Sequence, residues 1–293
     1  MKRNLILAAV AVVFIAVVLA GCSAPPAPTP VPTPVSRPDL WEQIQQQGTI
    51  IVGTSADYQP FEYYDNRYQL AGFDIGLIRD IGKQLGVEVE IKDYAFDGLY
   101  NALQLGSIDV AISAISVTPD RQQYVDFTNI YYVGKDGVLA DAQSPVTAIT
   151  QVAQMAKMRV GVQSGSVYET FLTDSLVSTN LMPADNLRAY PDIQQAVTDL
   201  QRNRIDLVLM DLQPAQSFVT QGGVKLVGEG LDPQSFAIAI PKGAESLRRV
   251  LNMALTDAVN SGAYAALAET YLGLKPDGIQ PVPTPAPTAL GTP

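Results

Sequence analysis

The chain reads as a mixed α/β protein built of two similar lobes. Two observations lead there. Apolar bursts of strand length alternate with stretches of helical periodicity from Leu40 to Leu274, and this alternation restarts midway with a short repeated motif.

Ile50 to Gly53 is a short apolar run and reads as a buried strand. Phe73, Leu77, Ile78, Ile81 and Leu85 recur at spacings that fall on one helix face. Val87 to Ile91 alternates as a strand does, Leu99 to Leu105 is a short helix, and Ile108 to Ser113 is again a strand. Such a β-α-β-α-β run predicts a mostly parallel sheet covered by helices, with ligand expected at the carboxyl ends of the strands. The pattern then restarts: a strand over Arg159 to Gln163, a helix beginning at Tyr168 to Leu172, a helix over Ile193 to Leu200 and a strand over Ile205 to Met210. Leu103-Gln104 with Ile108-Asp109 in one half matches Leu200-Gln201 with Ile205-Asp206 in the other, at identical spacing and each before an apolar triplet. Phe236 to Ile240 supplies one more strand, and Leu247 to Leu272 holds two helices broken near Ser261-Gly262.

The ends are of a different kind. Lys2 and Arg3 precede an apolar run from Leu5, which closes on Leu19-Ala20-Gly21-Cys22. A basic start, an apolar stretch and small residues fit an export signal over residues 1–21. Its last four residues resemble a bacterial lipobox, in which the cysteine is lipidated and becomes the first mature residue. Cys22 is the only cysteine, so lipidation leaves no thiol for a disulfide. The competing reading is an uncleaved anchor helix, which puts the domain at the same outer face of the membrane, or in the periplasm where two membranes exist. Prolines then crowd residues 22–38, a composition that favours an extended stalk of about 3.1 Å per residue. A second proline-rich stretch over residues 275–293 reads as a disordered tail.

Composition excludes several functions. With 19 Lys+Arg against 29 Asp+Glu the net charge is −10, which argues against nucleic acid as a partner. The absence of histidine removes imidazole-based zinc sites, Ser-His-Asp triads and Cys-His dyads. No cofactor and no metal is expected, and an enzyme is the less favoured class.

Several motifs now combine: Gly53-Thr54-Ser55-Ala56-Asp57-Tyr58 with Pro60-Phe61-Glu62; Gly72-Phe73-Asp74-Ile75; Ile108-Asp109 through Ser116, Thr118 and Arg121; Val160-Gly161-Val162 with Gly165-Ser166; and Ile205-Asp206 leading to Asp211. In this order and spacing, from Gly48 to Leu274, the chain resembles the family 3 extracellular solute-binding proteins of ABC importers, the polar amino acid group. The resemblance implies a two-lobed periplasmic-binding-protein fold of type II. A first lobe over residues 39–138 and 236–274 would join a second over 139–235 through two hinge strands. It also implies a monomer that delivers a free amino acid to a membrane permease.

The chemistry of these positions fits that implication. A free amino acid presents a carboxylate beside an ammonium, so its receptor needs a planar cation, backbone donors and a carboxylate converging on one cleft. Arg121, beyond the strand end and the Thr118-Pro119 turn, supplies a guanidinium that grips a carboxylate through two parallel hydrogen bonds; an arbitrary arginine more often sits in a surface salt bridge. Gly165-Ser166-Val167 lies where a strand turns into a helix, so its amides would face the same carboxylate, a role compatible with Ser166 acting as an N-cap. Asp211 ends a strand, where many Asp residues only form turns; the family likeness makes it the partner of the ligand ammonium, with Ser116 and the Ala114 carbonyl. Tyr58 and Phe96 would sandwich the ligand side chain, although either ring alone reads as core. Ser55 stands where several relatives place an acid for a cationic or amide side chain, and Asp57 and Gln163 are the substitutes, so arginine and glutamine both stay open. Gly76 departs from an acid common in the family and bears on helix stability rather than ligand choice. Two other readings stand beside the receptor: a sensor subunit, and an exported dehydratase acting on a prephenate-like acid, with Glu62 or Asp57 as the acid.

Overall fold

The computed structural model describes residues 39–275 and carries two five-stranded sheets and one of three strands. The expected export signal, the lipid-bearing Cys22, the proline-rich linker and all of the proline-rich tail except Lys275 lie outside the described residues. Helix α1 (Leu40–Gln47) is capped by Asp39, whose carboxylate accepts the Trp41 N–H at 2.9 Å. There follow β1 (Thr49–Thr54), β2 (Asp57–Tyr58), β3 (Glu62–Tyr64), β4 (Leu70–Ala71), α2 (Phe73–Leu85), β5 (Glu88–Asp93), α3 (Leu99–Gln104), β6 (Val110–Ala111), β7 (Val125–Gly134) and β8 (Asp136–Asp141). The chain continues through β9 (Val160–Gln163), α4 (Val167–Leu172), β10 (Leu187–Tyr190), α5 (Ile193–Gln201), β11 (Leu207–Asp211), α6 (Leu212–Gln221), β12 (Val224–Glu229), β13 (Gln234–Pro241), α7 (Glu245–Asn260) and α8 (Ala263–Leu267).

The first sheet runs β5-β1-β6-β13-β7 and the second β10-β9-β11-β8-β12, while β2-β3-β4 forms the small third sheet. These two large sheets are the cores of the two lobes. The chain crosses from first to second at Lys135, between β7 and β8, and returns between Glu229 and Gln234. Neither sheet is mostly parallel, contrary to expectation. β1 pairs parallel with β5 and β6, and β9 with β10 and β11, but β13 and β8 enter antiparallel. β7 and β8, like β12 and β13, are joined by short connections but lie in different sheets, so each strand that follows a crossing enters its new sheet directly, without the long crossover that a parallel entry needs.

The repeated Ile-Asp motif has one structural job performed twice. Asp109 Oδ2 accepts the Ile51 N–H and Asp206 Oδ2 the Arg159 N–H, each at 2.8 Å. Asp109 N–H and Asp206 N–H return bonds to the Ile51 and Arg159 carbonyls at 2.7 and 2.8 Å. The preceding isoleucines press on glycines of β1 and β9: a Cβ at Gly53 would lie 2.4 Å from Ile108 Cδ1, and one at Gly161 2.6 Å from Ile205 Cδ1. Each lobe thus ties two neighbouring parallel strands by the same lock.

The predicted helix face Phe73, Leu77, Ile78 and Ile81 is fully buried, and Leu85 packs against the same core. The strand expected over Ile108 to Ser113 pairs only at Val110–Ala111. Its carboxyl end leaves the sheet at Ala114, whose φ is +46°.

Candidate functional site

The carboxyl ends of β1, β6, β9 and β11 converge between the lobes. There they bring Ser113, Ala114, Gln163, Ser166, Val167 and Asp211 around one cavity, completed by Tyr58, Phe96, Ser116, Arg121 and Tyr168. Of the residues expected from sequence, Ser55, Asp57 and Gly165 do not line it. The cavity holds about 20 Å³, room for little more than a water molecule. The reason is that the lobes are shut on one another by their own polar groups. A shallower groove of about 900 Å³ lies on the outer side of the first lobe between β7 and α7. Its charges, Asp126, Lys242, Glu245, Arg248, Arg249 and Asp257, are of mixed sign.

Arg121 reaches from the first lobe to the second. Its Nη1 donates to the Ser116 carbonyl at 2.8 Å and its Nη2 to the Gly165 carbonyl at 3.0 Å. The guanidinium carbon lies 5.6 Å from the Phe96 ring centre and 5.4 Å from that of Tyr100. Among the described residues Arg121 makes no ion pair. Burial lowers its pKa, and the nearby Tyr100 and Asp211 oppose that shift. A desolvated guanidinium satisfied by carbonyl dipoles, with no carboxylate of its own, suits an incoming anion.

Asp211 sits across the same cavity. It precedes α6 in the capping position, yet its side chain makes no cap hydrogen bond. Instead its carboxylate accepts the Tyr58 hydroxyl at 2.7 Å and the Tyr168 hydroxyl at 2.5 Å. Burial pushes its pKa up to about 7, against the lowering effect of the two tyrosine hydroxyls.

The remaining expected residues seal the closed form. Gln163 Nε2 donates to both oxygens of Asp57, at 3.2 and 3.0 Å, and the Ile193 N–H at the start of α5 donates to Asp57 Oδ2 at 2.9 Å. Burial raises the Asp57 pKa to about 6 despite these donors. Ser55 Oγ donates to Asp57 Oδ1 at 3.1 Å, so Ser55 supports this latch from behind. Ser164 Oγ adds a bond to Asp97 Oδ2 at 3.0 Å at the exposed rim.

Two expectations change in detail. The amides of the Gly165 turn are not all turned to the cavity: the Gly165 N–H is taken by Glu169 Oε2 at 2.8 Å and the Ser166 N–H by the Gln163 carbonyl at 3.2 Å. Ser166 does cap α4, its hydroxyl accepting the Glu169 N–H at 3.3 Å. Tyr58 and Phe96 line one cavity, but Phe96 lies under Arg121, and the Tyr58 ring stacks on Phe61 with 6.5 Å between centres. Sequence reasoning missed Tyr168 and Tyr100. Tyr168 follows Ser166 by two positions in the first turn of α4, and that closeness to an expected site residue was its one available signal.

Residues 50–274 match the family model of the bacterial extracellular solute-binding proteins, family 3. The chain belongs to that family. The L-cystine-binding protein TcyJ of Escherichia coli is 28% identical over 236 residues, covering 80% of this chain and 86% of that protein. The structure of an ancestral arginine-binding protein bound to arginine superimposes with a TM-score of 0.72 at 33% identity, covering 77% of this chain and 99% of that one. An ancestral amino acid-binding protein described as a precursor of cyclohexadienyl dehydratase superimposes with a TM-score of 0.71 at 29% identity, covering 79% and 98%. For this family 3 member, membership means an extracellular or periplasmic solute-binding protein. Among the described residues no helix is long and apolar enough to cross a membrane, and no cluster of acids or cysteines could hold a metal ion.

Proposed function

We propose that this protein is the substrate-binding component of an ABC importer that captures a free polar amino acid by lobe closure, with arginine and glutamine as the leading ligands. The observation that carries the reading is the pairing of one half-buried guanidinium, Arg121, with one buried carboxylate, Asp211, across a single interlobe cavity. That is the charge pattern of a zwitterion's complement. The ligand carboxylate takes Arg121 with its two parallel donors, and the ammonium takes Asp211 with Ser116 and the Ala114 carbonyl. The Val167 N–H and the Ser166 hydroxyl add donors, Tyr58 and Phe96 flank the side chain, and Gln163 with Asp57 meets its far end.

Because the cavity of the shut form is smaller than any amino acid, the ligand enters an opened cleft. It then favours closure by its own differential contacts with the two lobes. Support for the ligand class comes from relatives whose names specify cystine, arginine and histidine, and from an ancestral arginine-binding protein solved with arginine and with glutamine. In this reading Cys22 anchors the domain by lipid to the outer membrane face, the chain acts as a monomer, and a permease receives the closed form. The lobe limits expected from sequence move by two or three residues, to 39–135 with 234–274 for the first lobe and 136–233 for the second, because β8 begins at Asp136 in the second sheet and β13 at Gln234 in the first.

Thermal unfolding of the purified protein against the twenty amino acids, cystine, ornithine, citrulline and prephenate tests this. Ligand at a thousand times its dissociation constant stabilises the fold by about 4 kcal/mol, a rise of several degrees. A rise with one or a few amino acids supports the receptor. Turnover of prephenate with no amino acid response would instead support an exported dehydratase.

A further inference from the structure

Two carboxyl groups that the cavity does not use, Glu62 and Asp74, are fully buried in the first lobe. Glu62 Oε1 accepts the Ser113 hydroxyl at 2.9 Å. Asp74 Oδ2 accepts the Ala114 N–H at 2.8 Å and the Tyr131 hydroxyl at 2.7 Å. Their other oxygens, Glu62 Oε2 and Asp74 Oδ1, find no donor among the described residues. The two side chains hold consecutive residues of one turn, Ser113 and Ala114, and Asp74 takes two donors where Glu62 takes one, so the charge belongs on Asp74. The titratable groups that face them are Tyr131 from β7, Tyr264 from α8, and Tyr58 and Asp57 from β2. No lysine or arginine is among them. Two ionised carboxylates without a cation cannot share a dry site: burial, with the Asp74 charge beside it, raises the Glu62 pKa well above its ordinary value, and burial raises that of Asp74 to about 6. A single hydrogen between Glu62 Oε2 and Asp74 Oδ1 satisfies both orphaned oxygens at once.

The pair holds cavity wall. Ser113, whose hydroxyl Glu62 accepts, itself accepts the Ser55 N–H at 3.0 Å. Ala114, whose N–H Asp74 accepts, is an alanine in the left-handed region at φ +46°, a conformation that persists only when the surroundings enforce it. Ser113 and Ala114 both line the cavity.

We propose that Glu62 and Asp74 share one proton, Glu62 donating and Asp74 accepting, and that this pair is the positioning device that fixes the Ser113-Ala114 turn for the ligand ammonium. The link to the ammonium rests on the amino acid reading. The proton and its hold on the turn do not, and both are measured here on the ligand-free protein.

Infrared spectra at about pH 8, above the titrations of Asp57 and Asp211, should show a protonated carboxylic acid band that Glu62→Gln removes. The folded wild type carries a proton that the unfolded chain has released. Its melting temperature should therefore fall relative to that of Glu62→Gln as pH rises from about 5 to about 9. The Ala114 amide resonance should move with pH in step with loss of the infrared band, and stay flat in Glu62→Gln. Absence of the band, parallel melting curves, or an Ala114 resonance indifferent to the titration would each overturn the proposal. Glu62→Gln keeps a donor towards Asp74 and so should fold; were it not to fold, the band and the Ala114 titration of the wild type alone decide the matter. A failure of every amino acid to bind would end the receptor reading and leave these results standing.

Discussion

The Tyr58 hydroxyl is bonded twice to Asp211: it donates to Oδ2 at 2.7 Å and accepts the Asp211 backbone N–H at 2.9 Å. One phenol of the first lobe therefore satisfies both a side chain and a main-chain group of the second. Tyr58→Phe removes both bonds and leaves a buried N–H and a carboxylate oxygen without that partner. We expect a loss of about 1 to 3 kcal/mol from the ligand-free closed form, the cost of buried polar groups left unpaired. Denaturant unfolding of the wild type and the variant measures it, and an unchanged midpoint would rule the contact out as a lobe clamp.

The raised pKa values of Asp57, about 6, and Asp211, about 7, set two opposite pH dependences. A carboxyl whose pKa is raised in the folded state holds a proton that the unfolded chain has lost. Ligand-free stability therefore falls as pH rises from about 4 to about 7, by at most ~1.4 kcal/mol per unit for each group. Ligand binding runs the other way, because an ammonium needs Asp211 ionised, so affinity falls as pH drops below about 7. Melting temperatures with and without ligand across pH 4 to 8 should show the ligand-free value rising in acid while the ligand-induced shift shrinks. Parallel curves would contradict this assignment of Asp211.

Gly165 has φ +72°, and a Cβ there would stand 3.0 Å from Asp97 Cβ and 3.2 Å from Asp97 Cα across the rim of the cleft. Gly165→Ala strains its own turn and pushes against the first lobe only when the lobes are shut. We expect ligand affinity to fall at least tenfold while secondary structure by circular dichroism is unchanged. An affinity equal to that of the wild type would show that closure does not bring these two residues together.

How much of this was legible in the sequence depends on the distance over which a residue acts. The face of α2 is written in the spacing of Phe73, Leu77, Ile78 and Ile81, because burial on a helix is a local periodicity. The Ile-Asp repeat was visible as a spacing, and the structure supplies its reason in the matching bonds of Asp109 to β1 and of Asp206 to Arg159, the residue before β9. The antiparallel entry of β13 and β8 was not legible. Strand direction is set by how the chain crosses between lobes, which no short window records. The polar latch was hidden for the same reason: Tyr58 and Asp211 are 153 positions apart, and Gln163 and Asp57 are 106 apart. Arg121, Asp211 and the Gly165 turn were named from the family resemblance, and all lie at one interlobe cleft. That Arg121 meets the Gly165 carbonyl while the Gly165 amide bonds Glu169 is a feature of the shut form that motif spacing does not encode.

The measurement that bears most directly on the central claim is isothermal titration of the wild type, Arg121→Ala and Arg121→Lys with L-arginine and L-glutamine at neutral pH. The account predicts binding of at least one of them by the wild type, and a loss of about 2 to 5 kcal/mol in Arg121→Ala, since the ligand carboxylate is left buried and unpaired. Lysine should not restore it, because an ammonium cannot offer two parallel donors. Wild-type binding that survives Arg121→Ala with less than a tenfold loss would contradict the account, as would the absence of heat with both amino acids.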